Sequence, residues 1–305
     1  MTNFILNRLL QSVALLFGVL ILVFFMIRLT GDPTSLMVSR QASVEEVERV
    51  RAELGFDRPL EVQLLDYLSD VLRGNLGISL SLDQPNSALL MERLPATIEL
   101  AVGALFIAIV IGVPLGIVSG MYQNTVIDYL ARFTALIGQT VPNFWLAMIF
   151  IVLFSVRLRW FPTFGRDGLR SIVLPAFALS LLAMGQFVRV ARSAVLEARR
   201  SNFVRTAHAK GLHPARVTIQ HITPNALIPL ISVIGIQFTY MLGGSIYIET
   251  IFSWPGLGRL LNDAIQNSDF PLVQAITIFI AIFAISVNLL TDILYGLTDP
   301  RIRQQ

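Results

Sequence analysis

Long runs without a charged residue are the dominant pattern along this chain. There are six such runs, and each contains between 18 and 32 uncharged residues. A helix needs about 20 apolar residues to cross the hydrocarbon core of a bilayer. The pattern therefore predicts an all-α membrane protein with six transmembrane helices, near residues 9–28, 98–121, 133–156, 172–188, 226–248 and 271–291.

The segment between the first two predicted spans is more polar and carries two amphipathic helix patterns. In SVEEVERVRAEL, Ser43 suits the N-cap position, and Gly55 follows the last apolar position. The second helix is expected to open at Pro59, to carry a leucine at every fourth position and to end at Gly74. The sequence GNLGISLSL then predicts a short extended element. We expect the two helices to pack on each other, with the membrane surface or a partner protein as the alternatives.

Helix-breaking residues lie inside several of the predicted spans. Membrane helices tolerate them where neighbouring helices or a water-filled cavity satisfy the freed backbone groups. Close packing of small residues also selects glycine, so the pattern leaves both interpretations open. The candidate pathway or helix-break positions are Pro114, Pro142, Asn143, Gly243 and Gly244.

Composition supports the membrane interpretation. Of the 305 residues, 54% are hydrophobic and only 14% are charged, against about 25% charged in soluble globular proteins. The first apolar run lacks a small-x-small cleavage site before Gly31. It is therefore predicted to be a membrane anchor rather than a signal peptide.

The distribution of basic residues predicts the orientation. An even number of spans places both termini on one side of the membrane. The long segment between Arg28 and Arg93 is left out of the count because long loops translocate largely regardless of charge. With cytoplasmic termini, eleven of the remaining basic residues lie inside and five outside. Both termini are therefore predicted to be cytoplasmic.

Several kinds of chemistry lack the residues that they require. The chain has no cysteine, and the predicted helix interiors carry no ionisable residue, which disfavours an ion-driven transporter. A P-loop needs glycine followed by lysine, but the only lysine, Lys210, follows Ala209. We therefore expect no cofactor or metal on this chain, no enzymatic activity, and ATP to be used only by another polypeptide.

Residues 198–225 gather the only lysine, all three histidines and four arginines, without an acid. Ser201 is expected to cap a short helix, and Gly211 suits the left-handed position after its end. A second short helix is expected to open at Pro214 and to stop at Pro224. Such a helical knob can dock into a groove of a soluble partner, or it can lie on anionic lipid.

The segment Arg205-Thr206-Ala207-x-x-x-Gly211, followed by His221-Ile222-Thr223-Pro224, resembles the E-A-A-x-x-x-G…I-x-L-P segment of ABC importer permeases. Arg-Thr stands where that pattern has Glu-Ala. Further motifs extend the resemblance along the chain, among them LGFDRPL, RGNLGISL, ERLPATIEL, IGVPLGI, VPNFWLA, FSWPGLGRLL and NLLTDILYGLTDPRIR. Together they resemble the inner-membrane permease of dipeptide, oligopeptide and nickel ABC importers, in the form with a large periplasmic loop after its first helix.

The resemblance implies a type I ABC importer permease fold in the bacterial inner membrane. It implies an N-terminal helix over 1–30, a partly helical periplasmic insertion over 31–96, a five-helix core over 97–295 with a cytoplasmic coupling segment at 189–225, and a cytoplasmic tail over 296–305. The implied partners are a homologous second permease, two cytoplasmic ATPases that use ATP and Mg²⁺, a periplasmic binding protein and membrane lipid, with no nucleic acid. Small peptides are the expected substrate.

The resemblance also implies site residues. The Phe203, Val204 and Ala207 face is expected to contact an ATPase, and Gly211 to supply the turn. The full set of expected coupling residues is Phe203, Val204, Arg205, Thr206, Ala207, Lys210, Gly211, Leu212 and Pro224. The loop of Trp254, Pro255 and Gly256 is expected to contact the binding protein or to cap the pathway. The alternative function is an ATP-independent channel or facilitator for small solutes.

Overall fold

The computed structural model describes residues 2–29, 44–53 and 57–298, and their regular structure is helical apart from one isolated antiparallel bridge between Ile78 and Pro85. The predicted all-α class is confirmed. The helices are α1 Thr2–Leu29, α2 Val44–Glu53, α3 Leu60–Leu72, α4 Asn86–Ile107, α5 Val113–Met121, α6 Val126–Thr140, α7 Asn143–Phe150, α8 Leu169–Arg199, α9 Asn202–Ala209, α10 Pro214–Val217, α11 Thr223–Ile251, α12 Leu257–Gln266 and α13 Phe270–Thr298. Three π-helical segments continue α4, α7 and α10: Ala108–Gly112, Ile151–Arg157 and Thr218–Ile222.

By length and composition, four helical stretches among the described residues can each cross a membrane. They are Leu6–Met26, Asn86–Met121, Leu169–Arg199 and Phe270–Ile293. Two further bent pairs qualify when each counts as one span, Val126–Thr140 with Asn143–Arg157 and Pro214–Ile231 with Val233–Ile251. The predicted six spans are reached when both bent pairs are included.

The third predicted span is not one continuous helix but is broken at Pro142, one of the candidate helix-break positions. The α6 and α7 helices meet at an angle of 106°. Val141 is extended, with φ −86° and ψ 130°, as expected for a residue that precedes proline. Because Pro142 has no N–H group, it cannot continue the hydrogen bonding of α6 and instead precedes the first turn of α7.

The chain folds into two compact units. The first comprises the described residues up to Ala96 together with Pro255–Leu289, and the second comprises Thr97–Trp254 and the described residues from Leu290.

In the first unit, α3 packs on α1. Tyr67, Leu68 and Val71 contact a cluster that includes Leu20 and Val23 of α1. Among the described residues, α3 thus packs on the N-terminal membrane helix and on Ile278 of α13. The expected packing of α2 on α3 stays a prediction. The predicted ends of α3 are confirmed, because Pro59 precedes its first turn and Gly74 follows its last with φ +77°.

A second cluster of the first unit involves α12, a helix that was not predicted from the sequence. Leu257, Leu260 and Ala264 are buried against Leu90 of α4 and Ile276 of α13. The spacing of these positions, i, i+3 and i+7, is the signal of a one-sided helix.

Asp269 fastens the turn before α4 to the start of α13, also within the first unit. Its carboxylate accepts hydrogen bonds from the Ser79 hydroxyl at 2.6 Å and from the Ser81 hydroxyl at 2.8 Å. The Ser81 N–H (3.0 Å) and the Leu272 N–H (3.2 Å) also donate to it. Asp269 is therefore the N-cap of α13 and the anchor of the turn.

The long α8 is the centre of the second unit and packs against α5, α6, α7 and α11. Gly112, Gly116 and Gly120 place one side of the α5 region against α8. A Cβ atom at Gly116 would lie 2.6 Å from the Val188 carbonyl oxygen, so a side chain there cannot fit at this helix separation. Pro114 lies in the first turn of α5 just after a π-helical segment. It therefore alters the hydrogen bonding without interrupting the Asn86–Met121 span.

Candidate functional site

The basic segment forms a helical hairpin between α8 and α11. Ser201 has the extended backbone of an N-cap residue, but its hydroxyl donates to the Ala198 carbonyl and accepts no hydrogen bond from an N–H of α9. At the other end Gly211 has φ +75°. Its N–H donates to the His208 carbonyl at 2.9 Å, and the Leu212 N–H donates to the Ala207 carbonyl at 3.3 Å. These two bonds are a Schellman motif, which confirms that Gly211 ends the helix.

The second half of the hairpin differs from the prediction. The sequence predicts a short helix that stops at Pro224. Instead, α10 runs through the π-helical segment Thr218–Ile222 directly into α11, and Pro224 lies in the first turn of α11. A proline is tolerated there because its missing N–H disturbs only the turn before it, and that turn is the π-helical one.

One side of the hairpin is anchored to the helices of its own unit. Val204 and Ala207 are buried in a cluster that also contains residues of α8, α10 and α11, with Ile117, Met121 and Leu212 packed around it. We call this cluster the inner cluster; its members are Val195, Ala198, Val204, Ala207, Val217, Ile222 and Ala226.

The predicted contact face of α9 is corrected by this burial. Val204 and Ala207 are only 4% and 5% exposed, whereas Phe203 is 42% exposed. Arg205, Thr206 and Lys210 are also exposed. The surface that α9 offers to a partner is therefore basic and carries one aromatic ring. Val204 and Ala207 face inward because their apolar side chains are removed from water there.

Charged side chains hold the ends of α5, α6 and α8 next to the inner cluster. Asp128 is fully buried in the first turn of α6. Arg192 of α8 donates to it twice, at 2.7 and 2.9 Å, and the Ser119 hydroxyl donates at 2.6 Å. Further along α8, Arg199 donates to the carbonyls of Gly120 and Met121 at 3.0 and 2.9 Å.

Sequence reasoning missed this network. Asp128 is the only acid between Glu99 and Asp167, and a lone acid in an apolar region is a signal for a buried partner. The sequence does not identify the partner of Asp128, because Arg192 lies 64 positions further along the chain.

Three of the predicted pathway positions meet at one cavity in the second unit. Asn143, Gly243 and Gly244 line a cavity of about 280 Å³ between α7, α8 and α11. Gln237, Thr239 and Tyr240 add neutral hydrogen-bonding groups, and the remaining lining is Leu179, Leu182, Ala183 and Met241. A Cβ at Gly243 would meet no atom within 4 Å, so this glycine leaves the cavity open. Pro142 lies at the bend beside Asn143, and Pro114 does not line the cavity.

The predicted partner loop is largely inaccessible. Trp254 is fully buried and Gly256 is buried too, while Pro255 is half-buried. The guanidinium of Arg166 lies 5.9 Å from the centre of the Trp254 ring and pairs with Glu99. The expectation that Trp254 meets the binding protein is corrected, because its indole is already enclosed within the protein. The alternative, that the loop caps the pathway, stays a prediction.

Comparisons with known proteins cover the whole chain. A family model described as "Binding-protein-dependent transport system inner membrane component" matches residues 112–304, and the N-terminal model of the same kind of component matches residues 1–101. The chain is 41% identical over 312 residues to a putative peptide transport system permease protein of Brucella abortus, covering 99% of both chains. It is 38% identical over 335 residues to the di/tripeptide transport system permease protein DppB of Pseudomonas aeruginosa, covering 100% of both.

Solved structures agree on the fold. The inward facing MetNI methionine ABC transporter superposes with a TM-score of 0.60 at 17% identity, covering 69% of this chain and 96% of that one. The fold is that of type I ABC importer permeases, in a multi-pass inner-membrane protein. The family models, which together span almost the entire sequence, confirm the resemblance carried by the motifs. The chain belongs to the binding-protein-dependent transport system inner membrane components, the permease subunits of ABC importers.

Proposed function

We propose that this permease carries small peptides, di- or oligopeptides, into the cytoplasm. The chain binds no cofactor in this proposal. Two ATPase subunits use ATP and Mg²⁺ on the cytoplasmic side, where both termini also lie. A homologous second permease completes the translocation path, and a periplasmic binding protein delivers the peptide. The names of the relatives, which include peptide, di/tripeptide and oligopeptide permeases, support the substrate class.

The observation that carries the coupling role is the division of α9 into two sides. Its outer side exposes Phe203, Arg205 and Lys210, and its inner side is buried in the inner cluster with residues of α8 and α11. A partner that grips the outer side therefore moves the ends of two membrane helices with it. The exposed positive charges suit an acidic groove, and the exposed ring of Phe203 suits an apolar pocket within it.

The cavity between α7, α8 and α11 supports a peptide as the cargo. Its polar groups are the amides of Asn143 and Gln237 and the hydroxyls of Thr239 and Tyr240. Neutral donors and acceptors can pair with peptide bonds, which every substrate of this class shares. The apolar remainder of the lining can pack against apolar side chains of a peptide.

The coupling proposal is tested with Gly211→Pro. Proline cannot adopt φ +75° and removes the N–H that bonds to His208. We expect insertion of the protein to be retained, while co-purification of the ATPases and ATP-dependent dipeptide uptake in proteoliposomes fall at least about tenfold, the equivalent of ~1.4 kcal/mol.

Gly74→Pro is the matched control, because Gly74 also ends a helix with φ +77° and donates its N–H to a residue of that helix. It should leave ATPase association intact. Normal ATPase association and uptake in the Gly211 variant would refute the coupling role. Peptide flux by this chain without ATPases would favour the channel alternative.

A further inference from the structure

A pocket of about 210 Å³ between α6 and α8 brings three arginines together. We call it the arginine pocket; its polar lining is Arg132, Arg189, Arg192, Gln139 and Ser193, and Leu136 contributes to its apolar wall. The cavity proposed for peptides has a different lining with no charged residue. The arginine pocket therefore calls for an explanation of its own.

The charges in the arginine pocket do not balance. Among the described residues, Asp128 is the carboxylate that contacts these arginines. Both of its oxygens already accept a hydrogen bond from Arg192. Arg132 lies 3.5 Å from the same carboxylate and stacks over the Tyr129 ring at 4.7 Å. Arg189 donates to the neutral amide of Gln186. Three guanidinium groups and one carboxylate leave a net charge of +2 (3 − 1) on this group of residues.

The pocket lies where the apolar part of the two helices ends. The α6 and α8 helices run antiparallel, since Gly138 approaches Leu181 at one end and Asp128 binds Arg192 at the other. The charge-free run of α8 ends at Arg189. Next to Arg132, α6 exposes two large apolar side chains, Phe133 and Leu136, each 60% exposed. Exposed apolar surface beside a basic cluster is the pattern of a membrane–water interface.

We propose that the arginine pocket binds the headgroup phosphate of an anionic phospholipid. Arg132 and Arg189 are the phosphate ligands, because Arg192 is committed to Asp128. A phosphate oxygen pair matches the fork of a guanidinium group, and Gln139 and Ser193 supply further hydrogen bonds. Phe133 and Leu136 offer an apolar track for the first part of an acyl chain. The inference rests on the location of the chain in a membrane and not on its substrate.

The bound lipid would fasten α6 to α8 near the inner cluster. Each helix supplies one phosphate ligand, Arg132 from α6 and Arg189 from α8. A bridging phosphate therefore adds an interaction between two helices that already share the Asp128–Arg192 pair. A lipid without net charge, such as zwitterionic phosphatidylcholine, gains less from the net positive pocket.

The test counts bound lipid on the complete transporter by native mass spectrometry, with phosphatidylglycerol as the probe and phosphatidylcholine as its neutral counterpart. The double variant Arg132→Gln, Arg189→Gln should bind phosphatidylglycerol at least about tenfold more weakly, because each arginine near a phosphate contributes on the order of a fivefold gain. The double variant Arg132→Lys, Arg189→Lys keeps the charge and should retain most of the binding.

The matched control is Arg157→Gln with Arg170→Gln, which removes two other exposed arginines and should leave binding unchanged. Equal binding by the wild type and the Arg132, Arg189 double variant would overturn the proposal, as would equal losses in the control. Wild-type binding of phosphatidylcholine as tight as that of phosphatidylglycerol would also overturn it. Displacement of the lipid by millimolar inorganic phosphate would reassign the pocket to a soluble anion.

Discussion

Two buried carboxylates show how single side chains hold distant parts of this chain together. Asp128 ties α5, α6 and α8 through Ser119 and Arg192, and Asp269 ties the turn before α4 to α13. Both acids stand in or next to the first turn of a helix, where the macrodipole favours negative charge. The sequence places both acids at helix ends, but it does not reveal their partners, because those partners are brought near only by the tertiary fold.

At the residue scale, Asp269→Asn is predicted to make stability depend less on pH. Burial alone would raise the pKa of Asp269, but the hydrogen bonds from Ser79, Ser81 and Leu272 outweigh it and hold the pKa below its ordinary value. The carboxylate therefore stabilises the fold fully above the unfolded pKa of about 3.9. That contribution is lost as the pH falls through the lower pKa of the folded state.

We expect Asp269→Asn to cost ~1–3 kcal/mol at pH 7, since it weakens hydrogen bonds to a charged group. The difference from the wild type should close as the pH falls below about 4. Hydrogen exchange of residues 77–86, at pH 7 and again below about pH 4, measures this stability difference between the variant and the wild type. Asp83→Asn, an exposed residue of the same turn, is the control and should change stability by less than about 0.5 kcal/mol. An equal loss at both pH values would show that the Asp269 charge is irrelevant.

At the element scale, residues with a special backbone role were predictable and packing partners were not. Pro59, Gly74 and Gly211 mark helix ends because proline and glycine restrict or permit backbone angles locally. The 106° bend at Pro142 exceeds what proline alone requires, and its size depends on what α6 and α7 pack against. The glycines of α5 have two interpretations from sequence alone, and only the contacts with α8 decide in favour of helix packing.

Gly116→Ala is predicted to disrupt the packing of α5 on α8. The added methyl group would lie 2.6 Å from the Val188 carbonyl oxygen and 2.7 Å from the Ala191 side chain, so the helices must separate. We expect a loss of ~1–3 kcal/mol, as for overpacked interiors, seen as a lower Tm of the purified protein.

Gly18→Ala in α1 is the control for this substitution. A Cβ at Gly18 meets nothing within 4 Å, so the change should be neutral or slightly stabilising, by up to ~1 kcal/mol. Unchanged thermal stability in the Gly116 variant would show that α5 and α8 are not held at this separation.

At the scale of the whole molecule, the absence of cysteine permits a direct test of orientation. Single substitutions Lys210→Cys and Asn75→Cys introduce one thiol each into a chain that has none, and both positions are exposed. We expect a membrane-impermeant maleimide to label Asn75→Cys in bacterial cells whose outer membrane is permeabilised and whose inner membrane is intact. Lys210→Cys should be labelled only in inverted vesicles. The reverse pattern would invert the proposed topology and remove α9 from reach of the ATPases.

The inner cluster also limits how this transporter can be re-engineered. Val204 and Ala207 are seated among Ile117 of α5, Val195 of α8 and Ala226 of α11. A coupling hairpin grafted from a relative would place its own inward side chains in the space that Val204 and Ala207 fill. Chimeras that aim to recruit a foreign ATPase should therefore exchange only the outward positions, such as Phe203 and Arg205. Alternatively, they should transplant the hairpin together with the rest of the inner cluster.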